Sequence, residues 1–232
     1  MTPRVNVTDF VDGAREARGL AVIIDIFRAF SVACYATAGG LARIYPVAAA
    51  EDALALMGAH PGWLGIGERE ARKLPGFDFG NSPTEIRKAD LRGRTLVHTT
   101  HAGTQGLMAA SAADEVITGS LVNAGAICRH ILALRPTTVT LVRMGHQARE
   151  RCAEDDLCAE LIAARLAGRD FDAIGVRSRL RDAPSARKFF DPAADWAPET
   201  DFELCTEVDR FDFILRLRDR AGPLPWLERL PA

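Results

Sequence analysis

Residues 94–143 read RTLVHTTHAGTQGLMAASAADEVITGSLVNAGAICRHILALRPTTVTLVR, and strand-like and helix-like segments alternate along them. Three of these segments are short apolar runs rich in Val, Ile, Leu and Thr, which predict β-strands, and two longer segments have helical composition. The predicted strands are residues 94–98, 115–118 and 138–143, and the predicted helices between them are residues 105–113 and 122–134. Strands that alternate with helices in this way indicate an α/β architecture with a mostly parallel sheet.

The same alternation extends toward both ends of the chain. Further predicted strands are residues 20–25, 43–47 and 63–66, and further predicted helices are residues 28–38, 48–57 and 153–167. Residues 1–18 predict an edge strand or an arm, while residues 211–217 fit either a last strand or an amphipathic helix. We therefore predict a three-layer α/β/α fold for residues 1–232, as one domain or as two lobes that share a cleft, with residues 169–232 as a smaller C-terminal subregion.

Composition narrows the class of partner. The net charge of −2 gives no reason to expect a nucleic acid, and the basic region 177–188 is interpreted as a solvated surface. The N-terminus has no apolar core of the signal-peptide type, and no apolar run is long enough to cross a membrane. The five cysteines form no CxxC pair, which favours reduced thiols in the cytoplasm. The oligomeric state stays open, a homo-oligomer included.

Polar residues follow the predicted strands at the points where those strands end. Asp25, Glu68 and the segments 99–104, 119–123 and 145–146 each stand at such an end. In a parallel α/β sheet, ligands bind outside the carboxyl ends of the strands. If all the strands are parallel, these clusters share one rim, and the rim is the predicted site.

Two turns on this rim are typical of anion-binding sites, because each combines hydroxyl groups, a glycine and the start of a helix. The substrate-binding candidates in them are Thr100, Gly103 and Thr104 in the first turn (99–104) and Gly119, Ser120 and Asn123 in the second turn (119–123). Ordinary N-capping by Thr or Ser is the alternative for either turn. His101 and His146 are weaker candidates near the same rim.

The carboxylates near the rim indicate a Mg²⁺ site. Mg²⁺ prefers one or two carboxylates completed by waters and substrate oxygens. The metal-ligand candidates are Asp25, Glu68, Glu154 and Asp155, with Asp78 as a further oxygen donor. Arg28 lies one helical turn after Asp25 and could pair with it or clamp an anion.

Residues 65–83 (GIGEREARKLPGFDFGNSP) contain about sixteen residues without a helical or strand period, and loops of that length in compact domains are usually functional or disordered. The two aromatics, the proline and the mixed charge favour a shaped loop. We expect its two ends, residues 67–69 and 76–83, to form a wall of the site and to carry Arg69, Asp78, Asn81 and Ser82.

Six sequence blocks occur in one order along the chain. They are DIFRAFS (25–31), GER (67–69), GFDFGNSP (76–83), TTHAGT (99–104), GSLVN (119–123) and EDDLCA (154–159). Together they resemble the 2-phosphosulfolactate phosphatase family. The resemblance implies a Mg²⁺-dependent phosphatase that hydrolyses 2-phospho-3-sulfolactate to 3-sulfolactate and phosphate, a step on the route to coenzyme M. It also implies an α/β/α fold.

The matched blocks lead to a hypothesis for the site. Mg²⁺ would be held by two or three of its four ligand candidates, and the two turns would bind phosphoryl oxygens through backbone N–H groups. Asp78 would act as general base or acid beside Asn81 and Ser82, and Arg28, Arg69 or Lys73 would hold the sulfonate and carboxylate.

The blocks also depart from the family pattern. Phe30 and Ser31 stand where the family usually has two threonines, His101 and Ala102 replace Thr-Asn, and Ala71 stands where a glycine is common. A similar phosphorylated hydroxy acid therefore stays open as the substrate. The alternative from another class is a non-catalytic small-anion binder on the same fold. A nucleotide-dependent transferase is disfavoured, because neither GxxxxGK[ST] nor GxGxxG is present.

Overall fold

A computed structural model describes residues 2–232 of the protein. The strands are β1 (Arg4–Asp9), β2 (Leu20–Ile24), β3 (Arg43–Pro46), β4 (Leu64–Arg69), β5 (Arg72–Lys73), β6 (Thr95–Thr99), β7 (Glu115–Gly119), β8 (Thr138–Arg143), β9 (Phe213–Arg218) and β10 (Trp226–Pro231). They form one ten-stranded sheet in the order β1-β8-β2-β7-β9-β10-β3-β6-β4-β5.

The helices are α1 (Phe10–Glu16), α2 (Ala29–Ala38), α3 (Ala50–Ala59), α4 (Pro83–Lys88), α5 (Gly103–Ala109), α6 (Ala124–Leu134), α7 (Ala153–Leu166), α8 (Val176–Arg181) and α9 (Glu199–Cys205). Two 3₁₀ segments, Leu121–Asn123 and Pro184–Phe190, complete the secondary structure. None of the helices within residues 2–232 is both long enough and apolar enough to cross a bilayer.

Both faces of the sheet are buried, as the apolar strands predict. In β2, Ala21 and Ile23 join one hydrophobic cluster, while Leu20, Val22 and Ile24 join another on the opposite face. Successive side chains of a strand point to opposite faces, so a run that is apolar at every position needs a layer on each side. The prediction of an α/β fold in three layers with a mostly parallel sheet is confirmed.

The sheet contains two parallel groups that point in opposite directions. β1, β8, β2 and β7 are mutually parallel, as are β3, β6 and β4. The antiparallel pair β9 and β10 joins them, with β7 antiparallel to β9 and β10 antiparallel to β3. Three successive reversals turn the second group around, so the assumption that all strands are parallel is wrong.

The C-terminal strands settle the interpretation of residues 211–217. Phe213–Arg218 is a strand, because it pairs along its length with Trp226–Pro231 and its side chains alternate between the two clusters. Residues 169–232 thus place two strands in the middle of the sheet. At the other end of the chain, Arg4–Asp9 is an edge strand, followed by the short helix α1 that the sequence analysis missed.

Residues 65–73 belong to the β4–β5 hairpin, so the prediction of a segment without regular structure is wrong for them, whereas residues 74–82 are irregular apart from one bridge between Phe79 and Ile66. The Gly65-Ile-Gly67 spacing has a packing reason, because a Cβ at Gly65 or Gly67 would lie 2.8 or 2.6 Å from the Phe77 ring. Phe77 is buried there, and the Phe79 N–H donates to Gly65 O at 3.0 Å.

Candidate active site

A small cavity of about 60 Å³ is lined by residues that follow strands of both parallel groups. A water needs roughly 10–15 Å³ by this measure, so the space holds several waters or a small polar group. Eight of the predicted site residues line it: Asp25, Arg28, Glu68, Asn81, Glu154 and Asp155, together with the two weaker candidates His101 and His146. The nine that do not are Arg69, Asp78, Ser82, Thr100, Gly103, Thr104, Gly119, Ser120 and Asn123.

Asp25 follows β2 directly and is held by two backbone N–H groups. Ala29 N–H donates to its Oδ1 at 3.3 Å, and Gly103 N–H donates to its Oδ2 at 2.9 Å. Burial and the negative charge of Glu68 raise the pKa of Asp25 to about 7. The Gly103 contact joins the two parallel groups, because α5 follows β6 in the sequence yet packs against β2.

Asp155 and Glu154 lie in the first turn of α7, where the helix dipole favours negative charge. Asp155 accepts from Ile26 N–H at 3.0 Å and from Gly145 N–H at 2.8 Å. Burial, together with the charges of Asp25 and Glu154, raises the pKa of Asp155 well above its ordinary value. Glu154 accepts a short hydrogen bond from the Ser185 hydroxyl.

Glu68 is fixed by the tight turn between β4 and β5. His101 N–H donates to its Oε1 and Ala71 N–H donates to its Oε2, both at 2.8 Å. Glu70 and Ala71, the two turn residues, have φ of 53° and 63°, the left-handed values of a type I′ hairpin. Glycine or asparagine usually takes such positions, so this turn stores backbone strain next to the cavity. The glycine that the family commonly has at position 71 would relieve that strain.

The donor set fits Mg²⁺. Four carboxylates face one cavity, and their mutual repulsion and burial call for a positive charge between them. The backbone N–H bonds orient the carboxylates and leave a second lone pair on each oxygen. Across residues 2–232, no three His, Cys, Asp or Glu side chains are arranged to hold a metal ion by themselves.

The first turn contacts protein carboxylates, although its predicted role is to bind substrate anions. Its His101 and Gly103 N–H groups are already taken by Glu68 and Asp25. Thr100 and Thr104 bond to each other through hydroxyl and backbone groups at 3.0–3.2 Å. The turn thus supports the carboxylates, and the hydroxyls of Thr100 and Thr104 are used within it.

The second turn is buried away from the cavity. The Ser120 hydroxyl lies 3.1 Å from the Ser31 hydroxyl and accepts from Val122 N–H, so it caps the 3₁₀ segment. Asn123 donates through Nδ2 to Phe213 O at 3.1 Å, and both side chains are fully buried. Ser120 therefore has the N-capping role that the sequence left open as the alternative. Helix α9 and the C-terminal strand β9 cover this turn.

Arg28 lines the cavity but pairs with a residue that the sequence analysis did not single out. Its Nη1 bonds to Asp201 Oδ2 at 2.7 Å, and its Nη2 bonds to Ala71 O at 3.0 Å. The expected pairing with Asp25 is absent from the ion pairs of residues 2–232. Ser82 donates to the other oxygen of Asp201 at 2.8 Å. Arg28 and Ser82 thus tie α2, the hairpin and α4 to α9.

Asn81, Asp78 and Arg69 have three different environments. Asn81 is 4% exposed, and its Oδ1 has no hydrogen-bond partner within residues 2–232, so it is available to a ligand. Asp78 is exposed and accepts from Gly65 N–H at 2.7 Å, outside the cavity. Arg69 donates to Glu68 O, Ala48 O and the Thr99 hydroxyl.

The 3₁₀ segment Pro184–Phe190 supplies two lining residues that the sequence analysis missed, Ser185 and Lys188. They are three residues apart and therefore share a face of a 3₁₀ helix, whereas Arg187 is exposed. Burial and the positive charge of Arg28 lower the pKa of Lys188. The interpretation of residues 177–188 as a solvated surface is therefore wrong for Lys188. Only the three-residue spacing could have revealed it.

Comparisons with known proteins agree with the family resemblance of the six sequence blocks. The family model described as 2-phosphosulpholactate phosphatase matches residues 7–220. A Bacillus subtilis protein named probable 2-phosphosulfolactate phosphatase is 28% identical over 213 residues, which cover 90% of this chain and 91% of that protein. A Caldanaerobacter subterraneus protein of the same name is 31% identical over 212 residues, covering 85% of this chain and 87% of that protein. Because the family model spans nearly the whole chain, the protein belongs to the 2-phosphosulfolactate phosphatase family.

Proposed function

We propose that this protein is a Mg²⁺-dependent phosphatase that hydrolyses 2-phospho-3-sulfolactate, or a similar phosphorylated hydroxy acid, to 3-sulfolactate and phosphate. The observation that carries the proposal is the convergence of Asp25, Glu68, Glu154 and Asp155 on one cavity. These residues come from three family blocks, at residues 25–31, 67–69 and 154–159, that are far apart in sequence. The names of the relatives support the same reaction.

Two of the four carboxylates, completed by waters and substrate oxygens, would hold the cation, and backbone N–H groups fix the directions of Asp25, Glu68 and Asp155. Bound Mg²⁺ would neutralise charge on the phosphoryl oxygens. Asn81 would contact the substrate through its unpartnered amide oxygen, which suits a hydroxyl or a water as donor. Arg28 would position the hairpin through Ala71 and Asp201. Asp78 has no role in this scheme, because it lies outside the cavity.

The setting we propose is the cytoplasm, since all five cysteines are free thiols and four of them are buried. In cells that make coenzyme M, the reaction would belong to that pathway.

Phosphate release tests the proposal. The protein should release phosphate from 2-phospho-3-sulfolactate with Mg²⁺, and EDTA should abolish the release. A panel of other phosphorylated C3 acids, 2-phospholactate and the two phosphoglycerates among them, would rank substrates by kcat/KM. If no ester is hydrolysed while phosphate or sulfolactate still raises the melting temperature, the chain is a small-anion binder and not a phosphatase.

A further inference from the structure

The cavity needs a positive side chain for its substrate, and its two strong cations differ in availability. The Arg28 guanidinium is 2.7 Å from Asp201 Oδ2 in a pair that is almost completely buried, so its charge is already neutralised. Lys188 forms no ion pair within 4.0 Å and no hydrogen bond with any residue in 2–232. An ammonium carries three donors, and leaving all three unused in a partly buried place is costly.

Aromatic packing fixes the position of Lys188. Its Nζ lies 5.1 Å from the centre of the Phe189 ring, which attracts a cation. Phe189 is buried and lies 5.0 Å, ring to ring, from Phe27, which lines the cavity close to Asp25. The packing therefore keeps the ammonium beside the carboxylates without direct contact. A ligand that enters between the ammonium and the carboxylates would contact Lys188 on one side and the carboxylate-bound cation on the other.

We propose that Lys188 is a substrate-binding residue whose ammonium binds an oxygen of the phosphoryl group. This inference rests on the proposed function, because that function places the phosphoryl group at the carboxylate cavity. The phosphoryl group is favoured over the sulfonate since Lys188 lines the same cavity as the four carboxylates. The competing explanation is that Lys188 only balances the charge of those carboxylates.

Calorimetric titration of inorganic phosphate into the Mg²⁺-loaded protein separates the two explanations. Lys188→Met should weaken phosphate binding by about tenfold or more, as expected for the loss of a charge-assisted hydrogen bond. Lys188→Arg keeps the charge and should retain most of the affinity. Arg187→Met is the matched control, because it removes the same charge from an exposed neighbour on the same segment, and it should bind phosphate like the wild type.

Two results would overturn the proposal. If Lys188→Met binds phosphate as tightly as Arg187→Met does and only changes Mg²⁺ affinity or melting temperature, Lys188 only balances the negative charge of the four carboxylates. If it loses affinity for 3-sulfolactate and keeps its affinity for phosphate, Lys188 binds the sulfonate or the carboxylate and not the phosphoryl group.

A second measurement needs no variant. Phosphate should slow reductive methylation of Lys188 in the wild-type protein, followed by mass spectrometry, and leave the exposed Lys88 unaffected. Equal rates at Lys188 with and without phosphate would reject the proposal. Failure of the proposed function looks different, since a wild type that hydrolyses no ester can still bind phosphate through Lys188.

Discussion

The two polar turns at 99–104 and 119–123 look alike in sequence and are different in the structure. Each has hydroxyl residues and a glycine before a helix, and each follows a strand. Gly103 in the first turn donates to a cavity carboxylate, whereas Ser120 and Asn123 in the second are fully buried against Ser31 and Phe213. The difference lies in what packs on each turn. Strand β9 and helix α9 cover the second, while Asp25 and Glu68 approach the first.

The backbone N–H groups of the two turns are not the groups that we now expect to bind the substrate anion. In the first turn, the His101 and Gly103 N–H groups hold the protein's own carboxylates, and the Thr100 and Thr104 N–H groups bond to threonine hydroxyls within the turn. In the proposed scheme, positive charge for the substrate would then come from the cation and from Lys188. A predicted oxyanion site has become the support of a predicted metal site.

The largest expected effect comes from placing a methyl group in the first turn. A Cβ at Gly103 would lie 2.8 Å from Asp25 Oδ2 and 3.0 Å from Phe30 Cζ, and the buried Phe30 cannot move away. Gly103→Ala should displace the Asp25 carboxylate and lower Mg²⁺-dependent turnover by about 10–100-fold, the usual range when a group that orients a metal ligand is lost. Steady-state phosphate release against Mg²⁺ concentration measures it.

Two controls separate this effect from general destabilisation. Gly106→Ala adds the same methyl group one turn later in α5, against Met144 and Ile23, and should cost stability without reaching Asp25. Ser120→Ala removes a hydroxyl from the second turn and should lower the free energy of unfolding by about 1 kcal/mol while kcat stays unchanged. A large loss of turnover in Ser120→Ala would contradict the distinction between the two turns.

A smaller effect concerns the pH dependence of Mg²⁺ binding to the carboxylates that the first turn supports. Burial and the charge of Glu68 raise the pKa of Asp25 from 3.8 to about 7. Between these values the folded metal-free protein binds more protons than the unfolded chain, so its free energy of unfolding falls as the pH rises. Mg²⁺ competes with that proton, and the rise in melting temperature that it causes should be small near about pH 5.5 and grow until about pH 8.

Thermal unfolding with and without Mg²⁺ across this pH range is the measurement. Asp25→Asn has no carboxyl proton at this position, so its response to pH should be flatter than that of the wild type. A Mg²⁺-induced shift that is equal at both ends of the range would remove Asp25 from the ligand set.

The sequence alone predicts those strands and site residues whose position is determined by a short run of neighbouring residues. The strand Thr138–Arg143 was predicted with its bounds, and Asp25 was placed at a strand end because an apolar run stops there at a carboxylate. The opposite directions of the two parallel groups were not predictable in this way. They depend on strands β9 and β10 pairing with elements about 100 and 180 residues earlier in the chain, Ile117 and Ile44.

Residues that reach the cavity from irregular segments were also missed. Lys188 belongs to a seven-residue 3₁₀ segment, too short for a helical period to be recognised, and its neighbour Arg187 faces solvent. Asp201 pairs with Arg28 across 173 positions of sequence, a distance at which one sequence gives no pairing signal. Long-range packing, and not local pattern, decides these positions.

The smallest expected effect is that of Asp78→Asn, which tests the predicted role of Asp78 as general acid or base. Asp78 stands in the block GFDFGNSP, and a carboxyl in a partly closed loop was the reason to assign it acid–base chemistry. In the structure, the exposed Asp78 carboxylate accepts from Gly65 N–H at 2.7 Å. This bond holds the irregular residues around Asp78 against β4. Asn keeps a carbonyl oxygen for the same N–H. Asp78→Asn should therefore leave kcat and KM unchanged and shift the melting temperature little, in the same assay that shows the loss in Gly103→Ala. A large loss of kcat in Asp78→Asn at unchanged melting temperature would return Asp78 to the chemistry, and the hairpin would then have to move toward the cavity during turnover.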